Sequence, residues 1–135
     1  MRGGDTGPWN ELCAFPAFWV GLLYDQSALD AAWDLVKDWT AEERQQLRND
    51  VPKMALEAPF RDGTLQDIAL QALEIARQGL KARGFLNGYG ESESVFLQDL
   101  DEFARTGRVN ADKLIHAYKH RWDGDIMRAY EACTY

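Results

Sequence analysis

An apolar stretch near the start of the chain constrains the fold more than any other feature of the sequence. No charged or amide side chain occurs from residue 12 to residue 24, so folding has to bury this segment. The stretch is shorter than the roughly 18 apolar residues of a membrane-spanning helix, and it contains Pro16 and Gly21. It therefore predicts the central helix of a folded core, over about residues 10–24. Pro16 is expected to kink or restart this helix, and Gly21 to let a neighbouring element approach closely.

Periodic apolar positions predict more helices along the rest of the chain. The strongest stripe, in steps of three and four, runs from Leu65 to Leu80. Pro52 is expected to end or bend an earlier helix, and residues 56–63 are predicted to form a loop. Four polar residues are predicted to cap helices at their N-termini: Ser27, Thr40, Thr64 and Asn110.

The fold class follows from these helices and from the lack of strand patterns. No segment shows sustained alternation with β-branched residues, and no hairpin signal separates two strand-like runs. The chain is therefore predicted to be all-α, a single compact domain of about six or seven helices packed around the central apolar helix. The glycine-rich residues 1–8 are predicted to be a segment apart from a helical domain of residues 9–135.

Charge and cysteine content exclude some partners and favour a compartment. The formal net charge is −7 at pH 7, which disfavours nucleic acids and acidic membrane surfaces. Cys13 and Cys133 lie near opposite ends of the chain without C-x-x-C spacing, as is usual for thiols in a reducing compartment. Acidic residues before the apolar stretch argue against a secretory signal. A cytoplasmic location is therefore predicted.

Three side chains have the spacing of metal ligands but are better explained without a metal. Asp112, His116 and His120 recur every four residues, so they share one face of a helix. That face lies opposite Leu114 and Tyr118, which are expected to point to the core. Exposed histidines need no metal, and the spacing alone does not supply a closed ligand set. No metal site is predicted.

Two further groups of residues have plain structural explanations. The first group is acidic and lacks the ligand order of a calcium loop, so it predicts a solvated charged face: Glu91, Glu93, Asp99, Asp101 and Glu102. The second is aromatic and is predicted to pack in the core and not to form a ligand pocket: Trp9, Phe15, Phe18, Trp19 and Tyr24. No catalytic triad, phosphate-binding loop or dinucleotide fingerprint is present.

Arg2 stands before two glycines, and its role is open on composition alone. Such a side chain is usually exposed and mobile. A forked guanidinium over a glycine-rich turn is also a means of binding phosphate or carboxylate groups.

Four segments carry a resemblance more specific than any short motif: residues 1–9 (MRGGDTGPW), 12–14 (LCA), 18–25 (FWVGLLYD) and 31–39 (AAWDLVKDW). They resemble the C-terminal part of glutamate–cysteine ligase, in the plant-like branch that many bacteria share. Shorter matches extend the likeness over essentially the whole chain: residues 40–44, 58–60, 76, 79–81, 106–107, 122 and 135. Two departures are Gly4, where alanine is common, and Lys119-His120, where a His-Gly pair is typical.

The resemblance implies an ATP-dependent ligase of glutathione biosynthesis. That family joins the side-chain carboxylate of glutamate to the amine of cysteine, with ATP and magnesium, through an acyl phosphate. Arg2 matches the arginine of the family's MRG-x-D segment, which implies contact with phosphate or substrate. A glutamate just before the matching methionine, and the catalytic sheet, are expected to lie outside this chain.

The chain by itself is therefore expected to be inactive and to hold no cofactor. Its expected partner is the missing N-terminal catalytic portion or another protein, with a homo-oligomer as a further state. The alternative function is a free-standing helical protein-interaction module derived from the ligase, because a region that packs on a sheet exposes an apolar patch when alone. A weaker alternative is a small-ligand binder with a pocket between helices.

Overall fold

The computed structural model describes residues 8–133, and they confirm the predicted all-α fold. This part of the chain forms seven α-helices and one very small antiparallel sheet. The helices are α1 (Trp9–Leu23), α2 (Gln26–Val36), α3 (Ala41–Met54), α4 (Leu65–Arg83), α5 (Gln98–Thr106), α6 (Asn110–His120) and α7 (Met127–Ala132). The sheet pairs β1 (Pro59–Phe60) with β2 (Gly63–Thr64), and two short 3₁₀ helices span Ala55–Glu57 and Glu93–Leu97. None of these helices is long and apolar enough to cross a membrane.

The apolar stretch forms α1, which packs on α2, α4, α5 and the second 3₁₀ helix, so its predicted central position is confirmed. Its principal neighbour is α4, and the two helices touch through their backbones. A Cβ atom added to Gly21 would lie 2.3 Å from the carbonyl oxygen of Ala76, and one added to Gly79 would lie 1.9 Å from that of Gly21. The close approach expected at Gly21 is therefore present. The buried core gathers around this contact: Ala17, Leu22, Leu73, Ala76, Leu80, Leu97 and Ala104.

Two prolines lie inside helices that continue past them. α1 extends without a break through Pro16, so no new helix begins there. α3 includes Pro52 and ends two residues later, at Met54, so Pro52 does not itself end α3, and the alternative that it bends the helix stays a prediction. Both prolines are exposed, and the carbonyl groups that lose a partner can turn to water.

Two of the predicted helix caps are confirmed. The Thr40 hydroxyl accepts a hydrogen bond from the Glu43 backbone N–H (3.1 Å), and the Glu43 carboxylate accepts one from the Thr40 N–H (2.8 Å). At the start of α4, the Asp67 carboxylate accepts from the Thr64 N–H (2.8 Å). Each pair satisfies N–H groups that the first helical turn leaves without a partner.

The predicted cap of α2 is wrong by two residues. Asp25 caps α2, because its carboxylate accepts a hydrogen bond from the Ala28 N–H at 3.0 Å. Ser27 lies within the first turn, and its hydroxyl donates to the same carboxylate. Aspartate and serine are equally good caps, so the local sequence did not decide between the two positions.

A hairpin replaces part of the loop predicted over residues 56–63. Its turn places Arg61 at a positive φ of 50°, and the Arg61 Nε bonds to the Glu43 carboxylate at 2.7 Å. The Arg61 guanidinium also donates to the carbonyl oxygen of Asp38 at 2.9 Å. The hydrogen bond from Arg61 and that from the Thr40 N–H lower the pKa of Glu43 to about 2. The hairpin is therefore fastened to the start of α3.

The last third of the described chain is less densely packed than the first. The acidic helix predicted from about Ser94 begins as the 3₁₀ helix Glu93–Leu97 and continues as α5. Gly107 follows α5 at a φ of 69°, which confirms the predicted glycine stop. α6 and α7 make only sparse contacts with the helices before them.

Candidate functional site

Arg2 lies outside the described residues, so its contact with phosphate or substrate stays a prediction. The predicted division between residues 1–8 and residues 9–135 likewise stays a prediction. The site that can be built from described residues is a groove beside α1.

This groove is lined almost wholly by hydrocarbon and has a volume of about 440 Å³. α1 contributes three aromatic rings to it, and Trp19 stands edge-on to both of the others, with ring centroids 5.6 Å from Phe18 and 6.5 Å from Phe15. The principal lining residues are Phe15, Phe18, Trp19, Leu73, Leu100 and Phe103. Phe18 and Trp19 also pack against the buried core, as predicted for them.

Two other aromatic residues of the same stretch are not part of the core. Trp9 is 79% exposed at the start of α1, and Tyr24 is 73% exposed just after its end. The guanidinium of Arg83 lies over the Tyr24 ring, 5.5 Å from its centroid. The prediction that both aromatics pack in the core is wrong, because they lie at the two ends of α1, and the contact of Tyr24 with Arg83 of α4 leaves its ring exposed.

A polar link involves Glu11, one of the residues that line the groove. The Asn110 side-chain amide donates to the Glu11 carboxylate at 2.6 Å, which joins the first turn of α1 to the first turn of α6. Asn110 is therefore not the cap of α6. That cap is made by Asp112, whose carboxylate accepts from the Val109 N–H at 2.9 Å.

The chemistry that this groove supports is apolar packing. Glu11 is its one charged lining residue, and that carboxylate is held by Asn110. The groove therefore suits an apolar side chain or a small apolar ligand, and its lining supplies neither a nucleophile nor an acid–base pair.

The face of α6 that carries both histidines points to solvent, as predicted. Asp112, His116 and His120 are all exposed, and the two imidazole rings lie 4.7 Å apart. Leu114 and Tyr118, on the other side of α6, were expected to point to the core, but both are also exposed. Within residues 8–133, no three His, Cys, Asp or Glu side chains come together as metal ligands.

The acidic run is not simply a solvated face, because two of its members join helices. Asp101 on α5 forms an ion pair with Arg77 on α4, and both side chains are about three-quarters buried. The hydrogen bond from Arg77 to Asp101 is the main cause of the raised pKa of Arg77. Asp99 accepts a hydrogen bond from Asn10, so it ties α5 to the start of α1.

Sequence reasoning missed both the Glu11–Asn110 link and the role of Arg61. The members of the first pair are 99 positions apart, and no local pattern marks such a pair. The hairpin had a partial local signal, since Asp62-Gly63 is a turn dipeptide, although the loop that forms is Arg61-Asp62.

Comparison with known proteins decides the family. A family model described as glutamate-cysteine ligase family 2 (GCS2) matches residues 1–132. The chain belongs to this family. It is 45% identical over 135 residues to the chloroplastic glutamate–cysteine ligase of Solanum lycopersicum, 47% to that of Arabidopsis thaliana and 44% to that of Nicotiana tabacum. Each match covers 100% of this chain and 25% of the relative, so the chain spans about a quarter of their length.

The resemblance stated from the sequence is thereby confirmed, while the predicted compartment is wrong. The relatives are named chloroplastic glutamate–cysteine ligases, which contradicts a cytoplasmic location. That prediction rested on two thiols and on acidic residues before the apolar stretch, and neither feature distinguishes between the cytoplasm and a chloroplast.

Proposed function

We propose that this chain is the helical part of a glutamate–cysteine ligase, which forms γ-glutamylcysteine with ATP in the first step of glutathione synthesis. The observation that carries this proposal is the family match over residues 1–132, together with the 40–47% identity to plant ligases. Because the chain spans about a quarter of those relatives, its role is to support the site and not to catalyse alone.

The described residues fit this supporting role. Their groove is lined by aromatic and aliphatic side chains, which pack against other apolar groups and do not bind phosphate. They also gather no set of three His, Cys, Asp or Glu side chains placed as metal ligands. We therefore assign ATP and magnesium to parts of the ligase outside residues 8–133.

Arg2 is the residue that we assign to the edge of the active site. It stands in the MRG-x-D segment that the resemblance aligns with the family, and a guanidinium can neutralise phosphoryl oxygens as charge develops on them. The assignment rests on the family match, because the described residues begin after Arg2.

A chimera tests the proposed function. This chain replaces the matched quarter of the Solanum lycopersicum ligase, and formation of γ-glutamylcysteine is measured with ATP and magnesium. The chimera is expected to be active, whereas the chain alone shows no ATP hydrolysis that depends on glutamate and cysteine. An inactive, folded chimera, or turnover by the chain alone that survives repurification, contradicts the proposal.

The same chimera tests Arg2. Arg2→Ala is expected to lower kcat/KM by about 100-fold or more at unchanged thermal stability, since removing one group that stabilises transition-state charge has that effect. Arg48→Ala, at an exposed position of α3, is the matched control and should leave kcat/KM unchanged. Equal activity of the Arg2→Ala and Arg48→Ala chimeras contradicts the assigned role.

A free-standing interaction module is the second candidate function, and exposed apolar side chains on α6 and α7 favour it. An immunoblot of the source organism separates the two candidates. A band several times larger than 15.4 kDa supports the ligase, and a band near 15.4 kDa supports the free-standing module. Light scattering of the purified chain adds a second test, because a strict monomer argues against an apolar patch that self-associates.

A further inference from the structure

Two side-chain links join the first turn of α1 to helices that lie far along the chain. The Asn10 side-chain amide donates a hydrogen bond to the Asp99 carboxylate of α5. The Asn110 side-chain amide of α6 donates one to the Glu11 carboxylate at 2.6 Å. The two pairs are separated by 89 and 99 positions, so these links help to set where the start of α1 lies in the folded domain.

Apolar packing and capping contribute little to this turn. Pro8, which precedes α1, makes no side-chain cap, and Trp9 and Leu12 are 79% and 45% exposed. The backbone contact with α4 at Gly21 lies roughly 15 Å further along the helix axis than Glu11. Among the described residues, the two links are therefore the polar contacts that hold the side chains of this turn. A helix end without such contacts frays readily.

The position of this turn matters because the chain that carries Arg2 is attached to it. Only a short stretch separates Arg2 from Pro8, and a stretch of that length spans at most about 20 Å. Arg2 therefore stays within that distance of Pro8 whatever conformation the intervening residues take. A shift of the first turn of α1 displaces the point from which the segment with Arg2 extends.

We propose that Asn110 and Asp99 are positioning residues for the ligase reaction, because they hold the first turn of α1 and thereby place the guanidinium of Arg2. This inference rests on the proposed function, in which Arg2 contacts phosphate or substrate at the edge of the active site. A misplacement of about 1 Å at a reacting centre can lower a rate by about a hundredfold. A link that touches no substrate can therefore govern the rate.

Kinetics of the chimera with the Solanum lycopersicum ligase test this role. Asn110→Ala removes the donor to Glu11 and is expected to lower kcat by about tenfold. The KM for glutamate should change by less than about twofold, because the loss affects the transition state and not substrate binding. Asp99→Ala breaks the other link and should lower kcat in the same way.

A conservative substitution on the other side of the link tests whether the hydrogen bond itself matters. Glu11→Gln keeps a side-chain oxygen that can accept from the Asn110 amide, and it should retain the wild-type kcat. Glu11→Ala removes that acceptor and should match Asn110→Ala. Equal values of kcat for Glu11→Gln and Glu11→Ala contradict the proposal.

Arg61→Ala is the matched control for a loss of stability. It breaks the link between the hairpin and Glu43 of α3, and α3 makes at most sparse contacts with α1. Arg61→Ala should lower the unfolding midpoint of the chimera at least as much as Asn110→Ala does, yet leave kcat unchanged. Equal losses of kcat for Arg61→Ala and Asn110→Ala show a general structural effect and overturn the positioning role.

A double substitution tests whether the link acts through Arg2. In the Arg2→Ala chimera, Asn110→Ala is expected to cause no further fall in kcat, because no guanidinium remains to be placed. A further fall of about tenfold overturns the proposal. An active chimera whose kcat is unchanged by Asn110→Ala and by Asp99→Ala overturns the positioning role and leaves the proposed function standing. An inactive, folded chimera overturns both.

Discussion

The backbone contact between α1 and α4 makes Gly79→Ala the sharpest test of the fold. The new Cβ atom would lie 1.9 Å from the Gly21 carbonyl oxygen and 2.9 Å from the Cβ of Ala28. Carbon and oxygen in close contact lie about 3.3 Å apart, so the helices have to separate by roughly 1.4 Å. A gap of 0.5–1 Å already removes about a quarter to a half of the dispersion energy of the atoms that line it.

Two opposing effects set the expected free energy. Alanine is a better helix former than glycine by about 1 kcal/mol, which stabilises the variant. Overpacking of a tight core costs about 1–3 kcal/mol, and a clash with rigid backbone lies at the upper end. The net destabilisation is therefore about 2 kcal/mol, or a fall in Tm of roughly 8 °C for a domain of this size.

Urea unfolding followed by tryptophan fluorescence and circular dichroism measures this change. Gly88→Ala is the control, because a Cβ atom at Gly88 meets no atom within 4 Å. It should be neutral or stabilising by less than about 1 kcal/mol. A Gly79→Ala variant as stable as the wild-type chain, or more stable, would refute the backbone contact between α1 and α4.

Three further predictions concern single side chains. Trp19→Ala should destabilise the domain by about 2–3 kcal/mol in urea unfolding. This loss is smaller than that expected for a fully buried ring, because Trp19 is half-buried against the core. An unchanged free energy of unfolding would refute the packing of Trp19 on the core. The folded-state pKa of Glu43 is about 2, below its usual 4.5, so the stability that the ionised carboxylate contributes is present above pH 4.5 and is lost as the pH falls towards 2. The difference in Tm between the wild-type chain and Glu43→Gln should therefore shrink over that window. A constant difference would contradict the bond to Arg61. Asn110→Ala should speed amide hydrogen exchange in α6 while α1 and α4 stay protected, and uniform exchange rates would contradict the link to Glu11.

The sequence predicted the helices well because their signals are local and repeated. The apolar stripe from Leu65 to Leu80 recurs in steps of three and four residues. Thr40 and Thr64 each pair with an acidic residue three positions later, and α3 and α4 begin where these caps predict. Gly21 was also interpreted correctly, because a glycine within an apolar helix has few other uses.

The errors arose where the deciding interaction was very short or very distant. β1 and β2 have two residues each, which is too few for an alternating pattern. The groove depends on how α1, α4 and α5 meet, and the Glu11–Asn110 link joins residues almost a whole chain apart. Trp9 and Tyr24 were assigned to the core because an apolar stretch was taken to be buried along its whole length.

The order of synthesis gives the Gly21–Gly79 contact a consequence for the nascent chain. α1 leaves the ribosome about 60 residues before the segment of α4 that covers it, which at roughly 5–20 residues per second is a delay of about 3–12 s. During that time the most apolar helix of the domain has no native neighbour on its α4 side. Chaperone capture and aggregation during translation should therefore concentrate on residues 12–24, and slowing translation between α1 and α4 should lower the soluble yield more than slowing it after α4.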